Sequence, residues 1–168
     1  MNQHNGGPFA LALIGQFDSV PGCHEFRAHL RKLAKDRVCV YNEAMRRWLF
    51  IAGVLGGIGV ALAAFGQHAL AGRLEQRMLA AFATGAQYQI IHALAIGLAA
   101  LAARGAAQKL AERAALLFFA GILLFSGSLY GLALSGMRVL AFMTPLGGLV
   151  LIAGWIVLAL AALKLEKA

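Results

Sequence analysis

Thr84-Gly85-Ala86-Gln87-Tyr88-Gln89-Ile90-Ile91-His92 is the stretch on which the reading of this chain turns. It opens an apolar run long enough to cross a bilayer, yet most of its side chains form hydrogen bonds. Inside a membrane such groups have no water to turn to and must find partners on neighbouring helices. At 100° per residue Thr84, Tyr88 and His92 share a narrow stripe with Ala81, Gly85, Ala95 and Ala99. Ile90, Ile91, Leu94, Leu98 and Leu101 fall opposite. The pattern predicts a helix with polar and small residues toward a bundle and branched aliphatics toward lipid. Gln89 lies at the edge of the polar stripe, and Gln87 projects among the aliphatics, a position suited to the headgroup level.

The rest of the chain extends this reading. Of 168 residues, 61% are hydrophobic and 13% charged. No Asp, Glu, Lys or Arg falls in 48–72, 78–103, 114–137 or 139–163. A spanning helix needs about 20 apolar residues, and a soluble domain of this size could not hide four such segments. The predicted fold is all-α, an integral membrane four-helix bundle with spans at about 48–66, 82–103, 114–134 and 145–163. The net charge of +8 does not indicate nucleic acid, because the basic residues flank spans and no aromatic–basic platform accompanies them.

Residues 1–44 form a partly helical or disordered extension, with a basic amphipathic pattern from His24 to Ala44. Met45-Arg46-Arg47-Trp48 reads as an alternative start: initiator, positive pair, interfacial Trp, then span. Cys23, His24, His29 and Cys39 fit no common zinc spacing. No metal or cofactor is implied.

Small residues recur every four positions in three places. Gly53, Gly57 and Ala61 mark a packing face on the first span, as do Gly59 and Ala63, and Gly127 and Gly131 do so on the third. Thr144-Pro145 suits a helix start, as N-cap and first residue. Arg46, Arg47, Arg104, Lys109, Arg113, Lys164 and Lys167 lie on one side of the membrane. Arg73, Arg77 and Arg138 lie on the other. The positive-inside rule then puts both termini in the cytoplasm. On that orientation His92 sits about 12–15 Å deep and Ser126 and Ser128 about 9–12 Å. Tyr88, Thr84 and Tyr130 are shallower, and Gln67, His68 and Thr144 mark the outer edge. The expected candidate cluster is therefore Thr84, Tyr88, Gln89, His92, Ser126, Ser128 and Tyr130, joining the second and third helices.

Phe65-Gly66-x-His68-Ala69-Leu70, Thr84-Gly85-x-Gln87-Tyr88-Gln89-x-x-His92-Ala93-Leu94, Gly121-Ile122-x-x-Phe125-Ser126-Gly127-Ser128-Leu129-Tyr130, Thr144-Pro145-x-Gly147-Gly148 and Gly154-Trp155 resemble the family called domain of unknown function 423. The likeness covers about Met45–Leu163. It implies a membrane location and four spans, since the family comprises small four-span proteins of bacterial inner membranes and eukaryotic relatives. It implies no reaction.

The residues favour a small scaffold or accessory membrane protein in contact with the lipid bilayer, as a homo-oligomer or within a larger complex. The alternative is an oligomeric small-solute transporter or channel using the polar patch around His92. That reading must do without an acid or base in any span, where ion-coupled carriers usually keep one. A remoter alternative is an intramembrane serine hydrolase pairing Ser126 or Ser128 with His92. The sequence offers no third member for such a site and assigns no catalytic residue.

Overall fold

A computed structural model describes residues 43–165. The expectations for the N-terminal extension fall outside them, except that Glu43 and Ala44 are already helical. Helix α1 spans Glu43–Phe65 and continues into a π-helical turn, Gly66–Leu70. Helix α2 spans Gln76–Ala102. A 3₁₀ turn, Gly105–Ala107, leads into α3, Gln108–Ser135. A second 3₁₀ turn, Arg138–Phe142, leads into α4, Met143–Ala162. All four segments are long and apolar enough to cross a membrane. α1, α2 and α3 begin ahead of the predicted spans because charge ends an apolar window without ending a helix, while α2 and α4 stop one residue short of theirs. Arg73–Phe82, expected to lie at the interface or extend the second helix, does the latter from Gln76 onward.

Local chemistry sets the ends. α3 stops at Gly136, whose φ of +70° is left-handed and whose N–H donates to the Leu132 carbonyl at 2.9 Å. Glycine takes that conformation without steric cost. The Ser135 hydroxyl then accepts from the Met137 N–H at 3.2 Å. α4 begins one residue before Thr144, and no side chain caps it. Thr144 is thus inside the helix rather than its cap, and its hydroxyl is spent elsewhere. Pro145 sits in the first turn, where N–H groups lack intrahelical partners anyway.

Packing follows chain order: α1 lies on α2, α2 on α3, α3 on α4. The main core joins Ala95, Ile96 and Ala99 of α2, Phe118 and Ile122 of α3, and Leu151 and Leu158 of α4. Trp48, Ala52 and Leu55 of α1 pack against its edge. A second cluster, Leu70, Phe82 and Ala133, closes the end carrying the α1–α2 and α3–α4 turns. α1 is peripheral: 11% of its apolar window is buried, against 50% for α2.

That placement corrects the expected packing face at Gly53, Gly57 and Ala61, while Gly59 of the other expected pair does meet α2. Gly53, Gly57 and Ala61 are exposed, and an added Cβ at either glycine would meet nothing within 4 Å. The face of α1 that meets α2 is the other one, through Gly56 and Gly59, where a Cβ on Gly59 would come 2.7 Å from Ile90 Cγ1. Ile90, expected to face lipid, is therefore half-covered by α1. Gly127 is likewise open, and Gly131 accommodates Leu140 of the following turn instead of a neighbouring span. Lipid is as apolar as a helix surface, so small-residue spacing does not say which face turns inward.

Candidate functional site

α2 is flanked by α1, α3 and α4, and its polar side chains divide among all three. Gln89 is 4% exposed. Its Nε2 donates to the Leu55 carbonyl of α1 at 2.8 Å, and its Oε1 accepts from the Tyr130 hydroxyl of α3 at 3.0 Å. Leu55 O can take this donor because a carbonyl has two lone pairs and its own helix uses one. Gly59 leaves the room, since a Cβ there would stand 3.4 Å from Gln89 Cγ. One carboxamide thus ties three helices.

His92 is 5% exposed and works toward α4. Its Nδ1 lies 2.8 Å from the Tyr88 carbonyl, and its Nε2 lies 3.2 Å from Trp155 Nε1. A carbonyl only accepts and an indole N–H only donates. The ring is therefore the neutral tautomer with hydrogen on Nδ1. Aromatic rings surround it. Phe118 and Trp155 stand at 5.8 and 6.1 Å between centroids, and Tyr88 stacks near it at 5.7 Å. Tyr88 also stacks on Phe125 at 4.6 Å. Tyr88, His92, Phe125 and Trp155 line a cleft of about 420 Å³ open to the lipid face.

Ser128 completes the set. Its hydroxyl donates to the Phe125 carbonyl at 2.9 Å and lies 2.8 Å from Thr144 Oγ1. A hydroxyl has one proton, so Thr144 is the donor across the α3–α4 seam. Ser126 is fully buried and its hydroxyl has no partner among the described residues. Among the described residues Thr84 bonds its own helix alone, through the Ala80 carbonyl at 2.9 Å. Gln67 and His68 are exposed in the π-helical turn.

The expected α2–α3 cluster therefore resolves into separate links. Gln89 and Tyr130 do join α2 to α3. His92 meets neither serine: it is held by Trp155, and Ser128 by Thr144. A serine–histidine dyad is not formed. The buried face of α2 is turned from Tyr88, which is 40% exposed, toward Gln89, because α1 covers that flank. Trp155 was absent from the expected cluster although its depth gives it away. It lies about 16 Å along α4 from Thr144, just beyond the depth expected for His92, and an indole N–H at membrane depth needs an acceptor.

Comparison with known proteins adds the following. The family described as protein of unknown function (DUF423) matches residues 62–148. The UPF0382 membrane protein YwdK of Bacillus subtilis is 38% identical over 121 residues, covering 71% of this chain and 98% of the relative. The UPF0382 inner membrane protein YgdD of Escherichia coli is 38% identical over 129 residues, 73% of this chain and 93% of the relative. A UPF0382 membrane protein of Haemophilus influenzae is 39% identical over 118 residues, 70% and 94% of the two chains. No solved structure matches.

Proposed function

The chain belongs to the DUF423 family of membrane proteins, and on that premise we propose that it is a small scaffold or accessory protein of the bacterial inner membrane. Its polar residues lock the bundle instead of handling a substrate. One observation carries this reading: of the four buried polar side chains among the described residues, Gln89, His92 and Ser128 are each engaged across a helix interface, and Ser126 alone has no partner. Both ends of Gln89, both ring nitrogens of His92, and the Ser128–Thr144 pair are all engaged. A group that passes a solute along must exchange partners with it. Each such interhelical bond contributes about 0.6–2 kcal/mol, which suits a rigid platform. The loop charges support an orientation with both termini in the cytoplasm. On that reading the links gather in the outer half of the bilayer.

The combined Ser126→Ala, Ser128→Ala and His92→Ala variant tests this. The expected outcome is lower abundance and melting temperature, with any phenotype falling in step. A variant that keeps its abundance and fold but loses a phenotype would turn the assignment toward a ligand at His92. Purification in native lipid with mass spectrometry is expected to show a stoichiometric protein partner. Uptake of a small solute by proteoliposomes, abolished by His92→Ala at unchanged fold, would replace the scaffold reading with transport. Reporter fusions at the C-terminus check the orientation separately.

A further inference from the structure

On the flank of α2 away from the aromatic cleft, the end of α1 and the α2 surface enclose a second cleft, of about 260 Å³. Its walls are mainly apolar, with Ala63, Leu79, Ala83 and Ile90, but two carboxamides also line it: Gln67 and Gln87. Both residues are exposed, and neither side chain has a hydrogen-bond partner among the described residues. Gln67 belongs to the π-helical turn Gly66–Leu70. Such turns are rare and gather at functional sites. Here the turn sits where Gly66 meets α2, a Cβ on that glycine standing only 3.0 Å from the Phe82 ring.

Depth narrows what the two amides can meet. From Trp48 to Gln67 the helical rise is about 28 Å, close to the ~30 Å thickness of the hydrocarbon core. Gln67 therefore stands at the boundary where lipid ester groups lie. Gln87 is deeper, but side chains lean toward the N-terminus of their helix, and for α2 that is the end beside Gln67. An amide facing hydrocarbon without a partner is costly. The occupant that satisfies both walls has a polar acceptor joined directly to an apolar chain.

We infer that this cleft seats the glycerol-ester region of one glycerophospholipid, side-on, with the start of an acyl chain. The amide N–H groups of Gln67 and Gln87 donate to its ester carbonyls, and one acyl chain lies along Ala83 and Ile90. Both amides are uncharged, so the site selects the ester linkage and not the headgroup.

The test uses the full chain in detergent and native mass spectrometry, with dioleoyl phosphatidylethanolamine competing against its diether counterpart, which lacks the carbonyls. The wild-type chain is expected to retain one diester lipid with a preference of at least about eightfold, the smallest expected of two hydrogen bonds at membrane depth. Gln67→Leu/Gln87→Leu is expected to abolish the preference at unchanged melting temperature, because neither amide is tied into the bundle. Gln89→Leu, which alters an amide already engaged internally, is expected to keep it. Equal retention of the two lipids by the wild-type chain overturns the inference, as does a preference that survives the double substitution. Displacement of the lipid by a water-soluble polyol such as glycerol would also overturn it and assign the cleft to a solute.

Discussion

Gly53, Gly57 and Ala61 form a four-residue repeat along α1, whereas Gly147, beside Gly148 in the first turns of α4, belongs to no such repeat. The repeat looks like the packing motif, yet it faces outward with open space over both glycines. Gly147 lies against a backbone: a Cβ on it would stand 2.5 Å from Phe125 N and 2.8 Å from its Cα. In water the apolar side of a helix turns inward by hydrophobicity. In lipid both sides are equally at home, and the choice falls to close packing and to polar partners. α3 and α4 approach closely at Gly147 and are tied by Ser128 and Thr144. On its outward side α1 has neither device.

Substitutions that treat the two surfaces alike should separate them. Gly147→Ala is expected to have the largest effect, a loss of about 3 kcal/mol by SDS-titration unfolding, because overpacking against backbone cannot be relieved by a rotamer change. Gln89→Leu is expected to cost about 1–2 kcal/mol in the same assay, leaving the Tyr130 hydroxyl without its acceptor. Trp155→Phe should cost about 0.6–1 kcal/mol. Combined with His92→Phe it should cost less than the sum of the singles, because the two share one bond. Gly53→Ala with Gly57→Ala is expected to change stability by no more than about 0.5 kcal/mol. A loss as large as that of Gly147→Ala would show instead that the outer face of α1 is covered by another chain.

The four spans were plain in the sequence because charge-free windows of that length have one common physical explanation. Rotation of the helices was not. The Thr84–Tyr88–His92 stripe was drawn from polarity alone, and polarity cannot register that α1 lies over Gln89 and Ile90. Depth was an uneven guide. Applied to Trp155 it would have pointed toward the partner of His92, but it set Ser128 about 9–12 Å deep and its actual partner Thr144 at the outer edge. Leu55 could not have been found this way, since its contribution is a carbonyl that every residue carries. Ser126 looked like part of the cluster and is buried, but its hydroxyl meets no acceptor among the described residues.

The order of packing has a consequence for how such a chain is made. Each helix rests mainly on the one synthesised just before it, so contacts are local along the chain and loop-closure cost stays low. A span entering the bilayer finds its principal neighbour already there. Among the interhelical hydrogen bonds of the described residues the Trp155–His92 bond is the exception, because it reaches past α3 from the last helix to the second. It can form only when all the spans it bridges are in place, which makes it a latch on completed assembly.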